Sequence, residues 1–158
     1  GQLRGMVFWL AGDLGWADDA GASGLAALLA LGLALAFARP LNVLATGELR
    51  AQSVGLDIRS WRWAVFLASA VLTSTAVITA GTIGFVGLVI PHAARFLVGA
   101  RHGRLVPASA VLGAVFLVAC DIASRIIIPG QVVPIGVVTA LIGAPAFAFI
   151  LVRARRFA

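Results

Sequence analysis

The sequence predicts an all-α fold, a polytopic transmembrane helical bundle, and three observations support this prediction. Of the 158 residues, 61% are hydrophobic and 11% are charged, whereas average globular domains carry about 25% charged residues. The 32 residues between Arg62 and Arg95 contain no charge other than a possible one on His92. All twelve basic residues are arginines, and most lie between apolar segments. Because charge is costly inside hydrocarbon, this distribution is typical of a chain that crosses a membrane several times.

Five apolar segments are predicted to be membrane helices, since each is near the length of about 20 residues that crosses a bilayer core of about 30 Å. They comprise residues 22–38, 63–80, 82–98, 105–120 and 132–152. The second and third belong to one uncharged run, which is too long for one crossing and slightly short for two full ones. We divide this run at Gly81, where a turn would let the chain cross back. Pro91 and Pro145 lack a backbone donor and predict kinks in the third and fifth segments.

The placement of the arginines supports this division and predicts the orientation. Five crossings bring residues 39–62, residues 99–104 and the tail from Arg153 to one side of the membrane, and these stretches hold most of the arginines. The other side receives residues 13–19, the turn at Gly81 and residues 123–131, which include a single arginine. Short loops rich in arginine face the cytoplasm. A single helix over residues 63–98 would break this parity.

Glycines recur every three residues at the predicted turn, at Gly81, Gly84 and Gly87. Small residues let membrane helices approach closely, so one interpretation is a turn followed by a tight helix contact. The other interpretation is a surface of exposed backbone along a transport path. Both interpretations stay open for the three glycines and for Pro91.

The cytoplasmic stretch 39–62 is long for a simple connection and is predicted to form one or two short helices. Pro40 permits a helix start, and Gly47 and Gly55 bracket the central piece, with Gly55 suited to a left-handed helix stop. Spacings of three and four residues predict one shared helical face for Leu41, Leu44, Glu48, Ala51 and Val54. The stretch is either an amphipathic connector resting on lipid headgroups or a docking element for a cytoplasmic partner.

The sequence shows no evident catalytic, metal or nucleic-acid site. Neither histidine has an evident serine partner, and His92 lacks further metal ligands at local spacing, so we interpret it as a structural hydrogen-bonding residue. The net charge of +6 would suggest nucleic acid in a soluble protein, but arginines between apolar segments are topology determinants beside membrane lipid. The single Cys120 excludes an internal disulfide and is predicted to be a small packing residue.

Four blocks of sequence resemble the iron–siderophore, heme and cobalamin permease family of ABC importers (FecCD/BtuC-like). They are collinear with the C-terminal half of a typical member. The most specific block is GTIGFVGLVIPH from Gly81, with Arg95 and Gly99 following. The other three are LATGE with Ala51 and VGL, then DIASR, then PIGVVTALIGAP.

The resemblance implies a type II ABC importer permease-like fold, with residues 1–158 as one transmembrane permease domain of about five membrane segments. It implies a multi-pass protein of the bacterial inner (cytoplasmic) membrane that forms a homodimer with a second permease copy. ABC ATPase subunits on the cytoplasmic face would hydrolyse ATP, and a periplasmic or lipid-anchored substrate-binding protein would dock outside. The chain itself would need no cofactor, and its cargo would be iron chelates such as siderophores or heme, or cobalamin. Because residue 1 is glycine and no signal peptide opens the chain, we expect it to begin partway through a longer permease.

Residue roles follow from the same resemblance. Gly47, Glu48, Ala51 and Gly55 would belong to the ATPase-coupling helix. Arg125 would dock the binding protein, although Asp121 lies four residues earlier and could instead form a simple intrahelical pair with it.

His102 matches a histidine of a family loop, but its flanks, Arg101 and Gly103, differ from the usual residues.

Two other functional classes are alternatives to an ABC permease. A secondary transporter of a small hydrophobic or chelated solute usually needs an ionisable residue inside the membrane, and Asp121 is the sole candidate. An intramembrane enzyme is disfavoured because no catalytic pair is evident, and no lysine is present for a phosphate-binding loop.

Overall fold

A computed structural model describes residues 5, 12, 20–128 and 133–155, and within these ranges the chain is all-α. The predictions for residues 13–19 and for the end of the loop at 129–131 therefore lie outside the described residues. The helices are α1 (Ala20–Ala36), α2 (Ala38–Leu44), α3 (Glu48–Ser53), α4 (Ile58–Ala80), α5 (Val86–Val98), α6 (His102–Ile126) and α7 (Ile135–Arg155).

Helices α4, α6 and α7 are each long and apolar enough to cross a membrane. Helices α1 and α2 bend by 42° at Phe37 and pass the same test only as a pair. These elements correspond to four of the five predicted segments. The fold prediction of an all-α membrane bundle is confirmed.

The third predicted segment differs from its prediction because the helix begins at Val86 rather than at Thr82. Helix α4 ends at Ala80, and Gly81 (φ 70°) leaves the helical conformation, as the predicted turn requires. Phe85, immediately before α5, has a left-handed φ of 64°. The 13 residues of α5 rise about 20 Å, which is less than a bilayer core. The count of five membrane segments therefore stays a prediction.

Helix α4 begins five residues before the predicted apolar segment because Asp57 caps it. The Asp57 Oδ1 atom accepts hydrogen bonds from the backbone N–H groups of Arg59 (3.2 Å) and Ser60 (3.4 Å). The Ser60 hydroxyl donates to Oδ2 at 2.5 Å. This hydroxyl, together with the two N–H groups, holds the pKa of the Asp57 carboxyl below its usual range. An aspartate cap of this kind satisfies donors that the first helical turn leaves free.

Helix α6 is the centre of the bundle, since it packs against α1, α2, α5 and α7. Near the C-terminal end of α6, Cys120 is buried with Ile135 and Val138 of α7. The predicted packing role of Cys120 is thus confirmed. Helix α4 differs from α6: its main helix contact is with the short α3, and Ile58 is its buried residue.

A close glycine contact between α7 and the residue before α5 was not predicted. A Cβ atom added at Gly143 of α7 would lie 2.5 Å from the Cβ of Phe85, whereas one added at Gly84 or Gly87 would meet nothing within 4 Å. Among the residues that the structure describes, the close-packing interpretation therefore has no contact at Gly84 or Gly87. Pro91 and Pro145 lie inside α5 and α7, which continue past them.

Candidate functional site

Residues 39–62 include two short helices, as predicted, but these do not form one shared face. Gly47 separates α2 from α3 with a φ of 108° and a ψ of 151°, a conformation that favours glycine. The Thr46 hydroxyl donates to the Val43 carbonyl at 2.7 Å and closes the end of α2. The prediction of a common face for Leu41, Leu44, Glu48, Ala51 and Val54 is wrong, because a helical spacing rule holds only within one continuous helix.

Gly55 ends α3 in the left-handed conformation that the sequence predicts, with a φ of 78°. The Leu56 N–H donates to the Ala51 carbonyl at 3.1 Å, and the Gly55 N–H donates to the Gln52 carbonyl at 2.9 Å. These two bonds form a Schellman motif, which satisfies carbonyls that a helix end leaves free. A helix of only six residues is therefore closed at both ends by glycine turns.

The two faces of α3 differ sharply in exposure. Ala51 is 0% exposed, whereas Leu49 is 84% exposed. Ala51 therefore seats α3 against the rest of the chain, and its methyl group cannot reach a partner without movement of the helix. Leu49 is the large apolar side chain that α3 presents outward. Sequence reasoning missed Leu49, although a leucine beside Glu48 in the polar stretch 39–62 was a usable signal.

Glu48 ties α3 to the start of α4. Its carboxylate forms an ion pair with the Arg62 guanidinium, and both side chains are largely exposed. Beside this pair lies a cavity of about 670 Å³ whose lining includes Trp63, Phe66 and Leu56. The α3–α4 junction thus combines a charged edge with an apolar surface at the arginine-rich end of α4.

The same stretch is joined to α6 through Asn42 of α2. The Asn42 Oδ1 atom accepts a hydrogen bond from the backbone N–H of His102 at 2.8 Å. The His102 Nδ1 atom lies 2.8 Å from the same oxygen. Because an amide oxygen only accepts, Nδ1 carries the proton in this contact. Both side chains are partly buried, and the pair connects residues 60 positions apart.

At the opposite end of α6, Arg125 and Asp121 form a two-pronged ion pair. The Arg125 Nε lies 2.9 Å from Asp121 Oδ2, and an Nη atom lies 3.2 Å from Oδ1. The predicted intrahelical pair is therefore present, and the Arg125 side chain is still 53% exposed. Pairing with Asp121 orients the guanidinium without covering it.

The segment 81–85 brings non-helical backbone next to a partly open apolar surface. Gly81 is buried and Gly84 is exposed, and a cavity of about 560 Å³ is lined by Thr82, Phe85 and one face of α7. His92 follows in α5, where its Nδ1 lies 2.6 Å from the Leu88 carbonyl. The prediction of a structural hydrogen-bonding role for His92 is confirmed. No group of three or more metal-ligand side chains occurs within the described part of the chain.

Comparison with known proteins identifies the family. The model of the FecCD transport family matches residues 1–153. The chain belongs to the FecCD transport family. The family resemblance stated from the sequence blocks is thus confirmed.

Relatives and a solved structure agree with this assignment. The chain is 46% identical over 158 residues to the Fe(3+) dicitrate transport system permease protein FecD of Escherichia coli strain K12, covering 98% of this chain and 49% of FecD. It is 37% identical over 156 residues to the vitamin B12 import system permease protein BtuC of Citrobacter koseri, covering 98% and 47%. A solved chain, described as a metal-chelate type ABC transporter in an inward-facing conformation, matches with a TM-score of 0.83 and 35% identity, over 96% of this chain and 50% of that one.

The chain spans about half the length of the curated relatives that it matches. Within that half, family membership and the permease fold are confirmed, as is the expectation of a multi-pass membrane protein. No comparison assigns roles to the predicted site residues, so their roles stay predictions. These residues are Gly47, Glu48, Ala51 and Gly55 for ATPase coupling, Gly81, Gly84, Gly87 and Pro91 for helix packing or the transport path, and Arg125 for docking.

Proposed function

We propose that the chain forms part of the transmembrane permease subunit of an ATP-driven importer. One observation carries the proposal: α2 and α3 form a glycine-hinged element between membrane helices, with Ala51 buried inward and Leu49 exposed outward. A partner on the cytoplasmic side would contact the α2–α3 element (residues 38–53), which presents the apolar Leu49 side chain beside the Glu48–Arg62 pair. ATP hydrolysis takes place in ATPase subunits that bind this element.

The cargo is proposed to be an iron chelate such as a siderophore complex or heme, or cobalamin. The names of two relatives support this range, since one transports Fe(3+) dicitrate and another imports vitamin B12. The membrane is the bacterial inner membrane. A second permease copy completes the pathway, and a periplasmic or lipid-anchored binding protein delivers the cargo.

The transport path is proposed to run beside residues 81–85. Because α5 has only 13 residues and rises about 20 Å, the residues between the turn at Gly81 and Val86 would lie within the bilayer core. Non-helical backbone at that depth is tolerated only where it is buried in protein or lines a water-filled cavity. Gly84 and Gly87 present open space to any added side chain, and Pro91 follows inside α5. Closure of the ATPases would push on α3 and tilt the attached helices. This tilting would open the transport path alternately to the two sides of the membrane.

Docking of the binding protein is proposed to use Arg125 at the outer end of α6. Asp121 holds its guanidinium in a two-pronged contact, while about half of the side chain is exposed for a carboxylate on the partner. In the assembled importer, Arg125→Ala should weaken binding-protein affinity in a salt-dependent way, whereas Arg59→Ala at the cytoplasmic end should not. Unchanged affinity in Arg125→Ala would refute this docking role.

Reconstitution of the intact permease tests the proposed function. Proteoliposomes containing the permease and its ATPase should take up the cargo only with ATP on the ATPase side and loaded binding protein outside. The competing class, a secondary transporter, would take up cargo without ATP and would stop when the proton gradient is dissipated. A secondary transporter would depend on Asp121 as its ionisable residue. Because Asp121 is paired with Arg125, the structure gives this alternative little support.

A further inference from the structure

One helix, α6, extends from the α2–α3 element to Arg125, the residue proposed to dock the binding protein. Helix α6 begins at His102 and runs for 25 residues to Ile126, a rise of about 37 Å. His102 is its first residue, and Arg125 lies in its last turn. Pro107 removes one backbone hydrogen bond near the cytoplasmic end, but the helix continues through it. His102 and Arg125 therefore lie near opposite ends of one continuous helix.

Besides the packing of α2 against α6, the side chain of Asn42 joins the two helices by hydrogen bonds. Asn42 lies in α2, which packs against α6 as well as against its chain neighbours α1 and α3. Its amide oxygen accepts two hydrogen bonds, from the His102 N–H and from the His102 ring, both at 2.8 Å. The first bond satisfies a donor of the first turn of α6, which has no side-chain cap from its own N-cap residue Arg101. The Asn42 Oδ1 atom thereby accepts a hydrogen bond from the first turn of α6 and links α6 to α2.

We infer that Asn42 and His102 are positioning residues that transmit binding-protein docking outside to the ATPases inside. This inference rests on the proposed function. Displacement of the outer end of α6 moves His102, and the Asn42 oxygen carries that movement into α2 and then α3. The pair acts through α3 and touches neither nucleotide nor cargo. If the pair is removed, α3 still binds an ATPase but no longer follows α6.

Substitutions can separate this role from simple packing. Asn42→Leu is nearly isosteric and removes the acceptor, whereas Asn42→Asp keeps an acceptor oxygen. His102→Leu removes the ring donor but keeps the backbone bond, whereas His102→Asn keeps a side-chain N–H near the position of Nδ1. A packing role predicts that the leucine variants behave like the wild type. A hydrogen-bonding role predicts that the aspartate and asparagine variants do.

The measurement is ATP hydrolysis by the complete importer in proteoliposomes, with and without loaded binding protein. Asn42→Leu should reduce the stimulation by binding protein roughly fivefold or more, the lower range of typical coupling between distant sites. His102→Leu should reduce it less, since one of the two bonds remains. Asn42→Asp and His102→Asn should retain stimulation, and the double leucine variant should be no worse than Asn42→Leu alone.

Four results would count against the inference. Full stimulation in Asn42→Leu would overturn it, and so would equal losses in the leucine and the conservative variants. If Asn42→Leu fails to assemble with the ATPase, His102→Leu becomes the deciding variant. Stimulation of the His102→Leu importer at the wild-type level would then overturn the inference. A wild-type importer that showed no stimulation would also overturn the inference, whereas cargo uptake without ATP would refute the proposed function itself, so the two failures are distinguished.

Discussion

Truncation of Leu49 should weaken the grip of the ATPase on the permease. The side chain is 84% exposed, so nearly all of its apolar surface is available for burial in a partner groove. Leu49→Ala removes three carbon atoms, and at about 0.8 kcal/mol for each buried CH₂ group the loss is about 2 kcal/mol. Since 1.4 kcal/mol corresponds to a tenfold change in affinity, the dissociation constant should rise about 30-fold.

The assay is the affinity of the ATPase subunit for the intact permease in nanodiscs, measured by biolayer interferometry. Leu97→Ala is the matched control, because Leu97 is 72% exposed and lies in the last turn of α5, on the same side of the membrane but outside α2 and α3. The control should bind as tightly as the wild type. Equal weakening in both variants, or none in Leu49→Ala, would refute the assignment of α3 as the ATPase contact.

Three further predictions test the framework of the site. Gly143→Ala places a Cβ 2.5 Å from the Phe85 Cβ and should cost about 1–3 kcal/mol of stability. The melting temperature in detergent should therefore fall. Gly113→Ala is the control and should not lower the melting temperature, because its added Cβ would lie 3.8 Å from the nearest atom. Gly47→Ala strains a φ of 108° by about 1–3 kcal/mol and should reduce co-purification of the ATPase. Asp57→Ala should speed hydrogen exchange in the first turn of α4, which Asp57 caps.

The pH dependence of the last variant has a definite sign. The pKa of Asp57 is lowered on folding, so its stabilising effect is fully present above the unfolded pKa and is lost as the pH falls through the lowered value. The difference in exchange between Asp57→Ala and the wild type should therefore vanish in acid. A difference that persisted there would contradict the cap, just as equal melting temperatures of the two glycine variants would contradict the close contact at Gly143.

The sequence by itself determined the class of this protein and several of its local turns. Hydropathy and arginine placement predicted a helical membrane bundle, because the cost of charge in hydrocarbon depends on composition along the chain. The turn at Gly81 and the left-handed stop at Gly55 were also predicted. These features depend on the conformational freedom of single residues, and that freedom is local.

Only the tertiary structure decided which side chains serve the site. A spacing rule placed Ala51 on one shared face with Leu41 and Leu44, whereas Gly47 separates α2 from α3, Ala51 is buried and Leu49 is exposed. The Asn42–His102 contact joins residues 60 positions apart. Close approach between distant residues depends on how whole helices pack, and no local pattern of residues encodes that packing.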